Sequence, residues 1–289
     1  DMVRSVVGKQ YIYIRNYMPH KLYGQHVGYM FVTTTTQVWK RLFDEGKLNE
    51  AQSHFWKTKP PEELYDLKND PDEVNNLAKS KEHVEVLKDM RQAHMNHLKK
   101  IIDVGFLPEG EIHQRSEGST PYEMARTEKY PFQRIMLAAD MASGLSPWAT
   151  KPLIGYLKDK DSAVRYWGAM GLLMRGKQGV RLAGKQLEEA LLDDSPYVQV
   201  VAAEALGKYG SKEQIERAVK TLGKTADPVR NGCFPSMLAM NAIDHLDGKA
   251  MSLLPLLESM PQVPEEVDKR FQGYVARLVT TTVKELQAK

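Results

Sequence analysis

The 289-residue sequence contains one cysteine, Cys233. A single thiol excludes an internal disulfide and any zinc site built from several cysteines, and it says little about compartment. Long apolar runs are missing too: nothing approaches the roughly 20 residues a membrane-crossing helix needs. There is no strong excess of one charge. The formal net charge is +3; residues 1–120 carry 17 Lys/Arg and 17 Asp/Glu, residues 121–289 carry 23 and 20. Neither half has the concentrated basic field of a nucleic-acid binder. Neither a membrane nor a nucleic acid is therefore expected as a partner.

What is present is a hydrophobic content of 42%, enough for real cores, over a length that suggests about two domains. The start, Asp1-Met2-Val3-Arg4, looks like neither a signal peptide nor an initiator, so a piece of a longer chain is expected.

The most distinctive stretch is Pro60–Ala78. Leu64, Tyr65, Asp66 and Leu67 alternate as a short strand, and Pro60-Pro61, lacking backbone donors, marks a sheet edge or loop. Asp70 suits a helix N-cap, Pro71 the first helical position, and Asp72 and Glu73 the first turn. Upstream, Met2–Val7 and Gln10–Arg15 predict a hairpin turning at Gly8-Lys9. Its isoleucines, Ile12 and Ile14, are expected to face a core, with Tyr11 and Tyr13 on the other face. Asn16–Phe31 is irregular, interrupted by Pro19, Gly24 and Gly28. Thr33–Trp56 reads as helical with a break at Gly46, and a second helix starts near Ser80 with Val84, Leu87, Met90, His94, Leu98 and Ile101 as its apolar stripe. Residues 108–121 carry Pro, Gly, Ser and charge without apolar period and read as a linker.

Beyond Pro121 the chain repeats. Leu153, Leu157, Val164, Gly168 and Gly176 recur 34 residues later as Leu187, Leu191, Val198, Ala202 and Gly210. Aspartates at the turns (Asp161, Asp194, Asp227) are expected to cap the second helix of each pair. A period of this length without strand signals predicts an all-α solenoid over residues 122–289, and its pattern resembles HEAT-type repeats. Ala138–Ala142 and Leu253–Leu286 would be atypical end repeats. Such a face suits a protein partner. The basic group Lys158, Lys160, Arg165, Arg175, Lys177, Arg181 and Lys185 reads as a solvated repeat surface rather than a phosphate track.

Glu63-Leu-Tyr-Asp-Leu67, a polar gap, Asp70-Pro71, an acidic residue and Asn76-Leu-Ala78, preceded by Met2-Val-Arg-Ser-Val6, Tyr11–Asn16, Tyr17-Met-Pro-His20 and Tyr23-Gly-Gln-His26, resemble the C-terminal subdomain of type I, formylglycine-dependent sulfatases of the alkaline-phosphatase superfamily. The resemblance covers residues 1–107. It implies an α+β subdomain, a small antiparallel sheet with helices, beside an N-terminal sulfatase catalytic domain of the same parent chain. That domain would hold the formylglycine and the calcium; neither cofactor is expected in this fragment. It further implies hydrolysis of a sulfated saccharide, a substrate pocket that includes Arg15, Asn16, His20, Tyr23, Gln25 and His26, and a periplasmic or secreted location. Arg15 could grip a sulfate or carboxylate in a fork.

The family nucleophile sits in Cys/Ser-x-Pro-x-Arg. Cys233-Phe-Pro-Ser-Met237 imitates it but has Met237 where Arg belongs and lies far downstream. It reads instead as a buried cysteine before a helix-kinking proline. His94 and His97 are one helical turn apart without an evident third zinc ligand. No catalytic or metal-binding residue is assigned, and the chain alone is expected to be inactive. A non-enzymatic HEAT-repeat scaffold for protein or nucleic acid is the rival reading.

Overall fold

The computed structural model describes residues 2–260 and 269–288. It forms two compact units, residues 1–102 and 103–289.

In the first unit, β1 (Val3–Val7), β2 (Tyr11–Asn16) and β3 (Glu62–Asp66) make an antiparallel sheet in that order. The expected hairpin is there, closed by Gly8 N–H on Tyr11 O at 2.8 Å, with Val7 opposite Ile12 and Val3 opposite Asn16. The facing of β2 differs from expectation. Tyr13 is the core residue, packed with Leu64 and Leu87, while Ile12 and Ile14 are half-buried. The reason is α3 (Val84–Ile101), which covers the tyrosine face. The Tyr13 hydroxyl escapes burial cost by donating to Glu62 Oε1 at 2.7 Å. Between β2 and β3 lie α1 (Thr34–Asp44) and α2 (Glu50–Ser53), separated at Gly46, whose φ of +67° suits glycine.

The stretch after β3 is not a helix. Asp70 Oδ1 and Oδ2 accept from Val74 and Asn75 N–H at 3.1 and 2.7 Å, and Glu73 has φ +54°. The carboxylate closes a loop around itself instead of capping a helix. Asn76 then copies a strand: its Oδ1 accepts from Leu64 N–H (3.1 Å) and Ala78 N–H (2.9 Å), its Nδ2 donates to Glu62 O (3.2 Å), and Leu77 N–H reaches Leu64 O at 2.7 Å. The open edge of β3 is thereby covered. Asp66 ends the strand by accepting from Lys68 N–H (3.0 Å), Asn69 Nδ2 (2.8 Å) and Gln10 Nε2 (2.9 Å).

The second unit is helical: α4 (Glu109–Arg115), α5 (Pro121–Met124), α6 (Phe132–Ser143), α7 (Thr150–Tyr156), α8 (Ser162–Met174), α9 (Gly176–Ala190), α10 (Pro196–Tyr209), α11 (Lys212–Thr225), α12 (Pro228–Asn231), α13 (Cys233–Leu246), α14 (Leu254–Glu258) and α15 (Gln272–Gln287). Residues 108–121 are therefore not a linker. α4 buries Glu111, which Arg115 grips along with Asp161, fixing this segment to α8. Its polar composition hides an internal ion-pair cluster.

α6, α8, α10, α13 and α15 each pack on the next in that series, and α7, α9 and α11 lie against this row. The residues 34 apart occupy matching places: Leu153 and Leu187, Leu157 and Leu191, Val164 and Val198 are all buried. Capping is less regular than expected. Asp161 and Asp227 accept from Ala163 and Val229 N–H, but it is Asp193, not Asp194, that accepts from Ser195 N–H. Part of the expected terminal repeat, residues 261–268, lies outside the described residues.

Two members of the basic group are internal ties. Arg165 is bidentate to Asp193 at 2.6 and 2.7 Å. Arg175 donates to Ala142 O, Gly171 O, Met141 O and Ser146 O, closing the C-terminus of α6. Pro235 falls in the first turn of α13, where no helical N–H is lost, so it does not kink the helix. Cys233 is buried there, and burial pushes its thiol up.

Candidate functional site

The segment after β2 is irregular because it is built by docking rather than by periodicity. Leu22 bridges Thr58, Tyr23 N–H donates to Lys57 O (3.2 Å), and Gly24 N–H donates to Phe55 O (2.7 Å). A Cβ on Gly24 would lie 2.3 Å from the Phe55 ring, so glycine is required by contact.

The six residues assigned from sequence do not act alike. Arg15 is 4% exposed and Asn16 is 1% exposed. Arg15 Nη1 donates to Asn16 O (3.1 Å) and Pro61 O (2.9 Å), and the guanidinium stacks 4.9 Å from the Tyr17 ring centre. Asn16 Nδ2 donates to Pro60 O (2.8 Å) and Glu63 Oε1 (2.6 Å). Both bond the chain itself. His20, Tyr23 and Gln25 are half-buried, and His26 is exposed with its ring stacked on Phe31 at 4.4 Å. Tyr23 packs against His54 at 4.6 Å.

Sequence reading missed the hub of this region, Glu63 with Lys59 and Tyr65. Glu63 is 2% exposed and accepts from Tyr65 Oη (2.6 Å) as well as Asn16. Burial and the Glu63 carboxylate hold the hydroxyls of Tyr65 and Tyr23 far above the usual phenol range. Lys59 donates to Leu22 O (3.0 Å), and burial lowers its ammonium to about 8 against the opposing pull of Glu63. The available signal was two charges, Lys59 and Glu63, flanking a Pro-Pro pair beside an apolar strand.

Glu62 belongs to a second, outer pair. Burial pushes its carboxyl up, but the Arg91 fork (2.6 and 2.5 Å) and the Tyr13 hydroxyl outweigh burial and leave it below the ordinary range. His94 bonds the Tyr17 hydroxyl at 3.1 Å inside the core, whereas His97 is exposed. Among the described residues no three His, Cys, Asp or Glu side chains group as metal ligands do. The arrangement can position a loop and offer Gln25 and His26 to a neighbour or ligand.

No protein-family model matches the chain. A stretch of 113 residues is 41% identical to an ulvan-active sulfatase of Formosa agariphila; the match covers 39% of this chain and 19% of that protein. The chain thus contains a sulfatase-related region.

Proposed function

We propose that this chain is the C-terminal portion of a sulfatase that hydrolyses sulfate esters on a sulfated saccharide. The observation that carries the reading is the 41% identity over 113 residues to an ulvan-active sulfatase. In this reading the catalytic domain is the partner within the same parent chain and supplies formylglycine and calcium. The present chain has no activity alone, and its parent works in the periplasm or outside the cell. The first unit braces a pocket loop: Lys59 holds Leu22 O, Glu63 faces Tyr23, and Arg15 and Asn16 tie the base of the loop to Pro61 and Pro60, while His20, Tyr23, Gln25 and His26 are the loop residues that meet substrate. The second unit is a HEAT-type solenoid used for interaction.

The test is sulfate release from sulfated polysaccharides by the parent enzyme and by its variants. His26→Ala and Gln25→Ala are expected to cost about 1–2 kcal/mol of transition-state binding, roughly 5- to 30-fold in kcat/KM, with an unchanged thermal midpoint. Arg15→Ala should instead lower the midpoint, because its guanidinium serves backbone carbonyls. A parent that releases no sulfate sinks the reading, and unchanged kcat/KM in both loop variants sinks the pocket assignment.

A further inference from the structure

The outer row of the helical unit carries an uneven charge that the sequence conceals. Helices α7, α9 and α11 hold eight cations against four carboxylates, whereas α6, α8, α10 and α13 hold three Arg/Lys against three Asp/Glu. Contacts join α7 to α9, and Gln214 and Arg217 of α11 both bond Glu188 of α9, so the three helices stand side by side.

On α9, Lys177, Arg181 and Lys185 recur every four residues and are all exposed. At ~1.5 Å per residue they form one column of three positive charges spaced ~6 Å apart. Among the described residues none of the three makes an ion pair or side-chain hydrogen bond. Lys151 on α7 and Lys212, Lys220 and Lys224 on α11 are also exposed. The carboxylates are partly spent: Glu188 is taken by Arg217 and Gln214, and Glu213 by Ser211. Arg165 and Arg175, which blurred the pattern in the sequence, turn inward.

We propose that this face binds a sulfated polysaccharide chain, holding the polymeric substrate while the catalytic domain works on it. The proposal rests on the sulfatase reading for the identity of the polyanion. Charge complementarity favours a partner with repeating single negative charges. Lysines serve as point charges for such groups, and Leu182, 55% exposed beside the column, gives the C–H face of a sugar ring an apolar contact. Single-stranded nucleic acid fits worse, because neither α9 nor α11 carries an aromatic side chain on which bases could stack.

The experiment measures binding of the full 289-residue chain to dextran sulfate, unsulfated dextran and duplex DNA at several salt concentrations. Dextran sulfate should bind, dextran should not, and affinity should fall steeply with salt. The triple variant Lys177→Glu, Arg181→Glu, Lys185→Glu should bind at least about tenfold more weakly, and the neutral Gln triple should fall between. Reversal of three exposed first-unit lysines, Lys68, Lys79 and Lys81, supplies the control for net charge. Equal loss in control and column variants overturns the proposal, as does DNA binding as tight as dextran sulfate. Sulfate release by the parent is followed in parallel. Column-dependent polymer binding with no sulfate release leaves the surface standing and removes the sulfatase reading. Sulfate release with column-independent binding removes the surface alone.

Discussion

The two units of this chain solve the packing problem in different ways. In residues 1–102 the buried set includes Arg15, Asn16, Lys59, Glu63, Asp66 and His94, each tied to a named partner. The fold there depends on particular side chains reaching particular backbone groups. In residues 103–289 the central helix positions are small and apolar, such as Ala138, Ala139, Ala142, Ala202, Ala203 and Ala205, so the helices approach closely, with ion pairs such as Arg115–Asp161 and Arg165–Asp193 at the turns between them. The first strategy constrains residue identity; the second constrains residue size and period.

The contrast is tested most severely at Glu63. Replacing it with Leu strands Asn16 Nδ2 and the Tyr65 hydroxyl and removes the carboxylate beside Lys59. The expected loss is about 3–5 kcal/mol, confined to the first unit. Hydrogen exchange should show α3 amides losing protection while α10 amides keep theirs. Equal loss in both helices would break the division of the chain into two independently stabilised units.

In the second unit the corresponding weak point is size. A Cβ on Gly171 would stand 2.8 Å from Leu153 Cδ2 and 2.9 Å from Ala142 Cβ. Gly171→Val should cost about 1–3 kcal/mol through overpacking. Gly155 on α7 meets nothing within 4 Å, so Gly155→Ala should stabilise by up to about 1 kcal/mol through helix propensity. Thermal midpoints of the pair give the comparison, and a destabilising Gly155→Ala would contradict the packing argument.

Helix caps are what the units share. Asn49 and Gln52 form a capping box on α2, and Ser211 and Gln214 form one on α11. Asn49→Ala and Ser211→Ala should each cost about 1 kcal/mol. Each loss should register only in its own unit, read by the same exchange experiment; markedly unequal losses would mean that one helix is held by packing alone.

Much of this was legible in the sequence, for reasons that differ by unit. The hairpin and β3 followed from alternation and turn residues, and the helix pairs from the 34-residue recurrence. The loop after Asp70 misled because Asp-Pro-Asp-Glu serves a helix start and a closed Asx loop equally well, and only Asn76 docking on β3 decides between them. The isoleucine face of β2, not the tyrosine face, is expected at the core because hydrophobicity ranks Ile above Tyr; α3 covers the tyrosine face and Glu62 gives the Tyr13 hydroxyl a partner, which reverses that order. At the candidate site the sequence supplied the loop but not its brace. Lys59 and Glu63 lie more than 40 residues from Asn16, and nothing local marks two such charges as internal.

That brace also gives the smallest effect and the most specific one. Burial sets the folded-state ammonium of Lys59 at about 8, below the 10.5 of a free lysine. Below pH 8 the group is charged in both states and burial opposes folding. Between about pH 8 and 10.5 the unfolded chain binds more protons than the folded one, so stability rises with pH across that window. The tyrosines act in the opposite sense higher up. The hydroxyls of Tyr13, Tyr23 and Tyr65 are raised above their free value of 10.0 by burial and by neighbouring glutamates, so their contribution is lost as pH climbs beyond about 10. The useful interval is therefore pH 8 to 9.5, where only Lys59 among these groups changes its balance. Denaturant midpoints of the first unit should increase over that interval in the native chain. Lys59→Met keeps the aliphatic stem and removes the titration, so its midpoint should be flat there. A variant that rises in parallel with the native chain would show that Lys59 is as well solvated folded as unfolded. The polar core of the first unit would then be open to water, and its contrast with the small apolar helix contacts of the second would lose its physical basis.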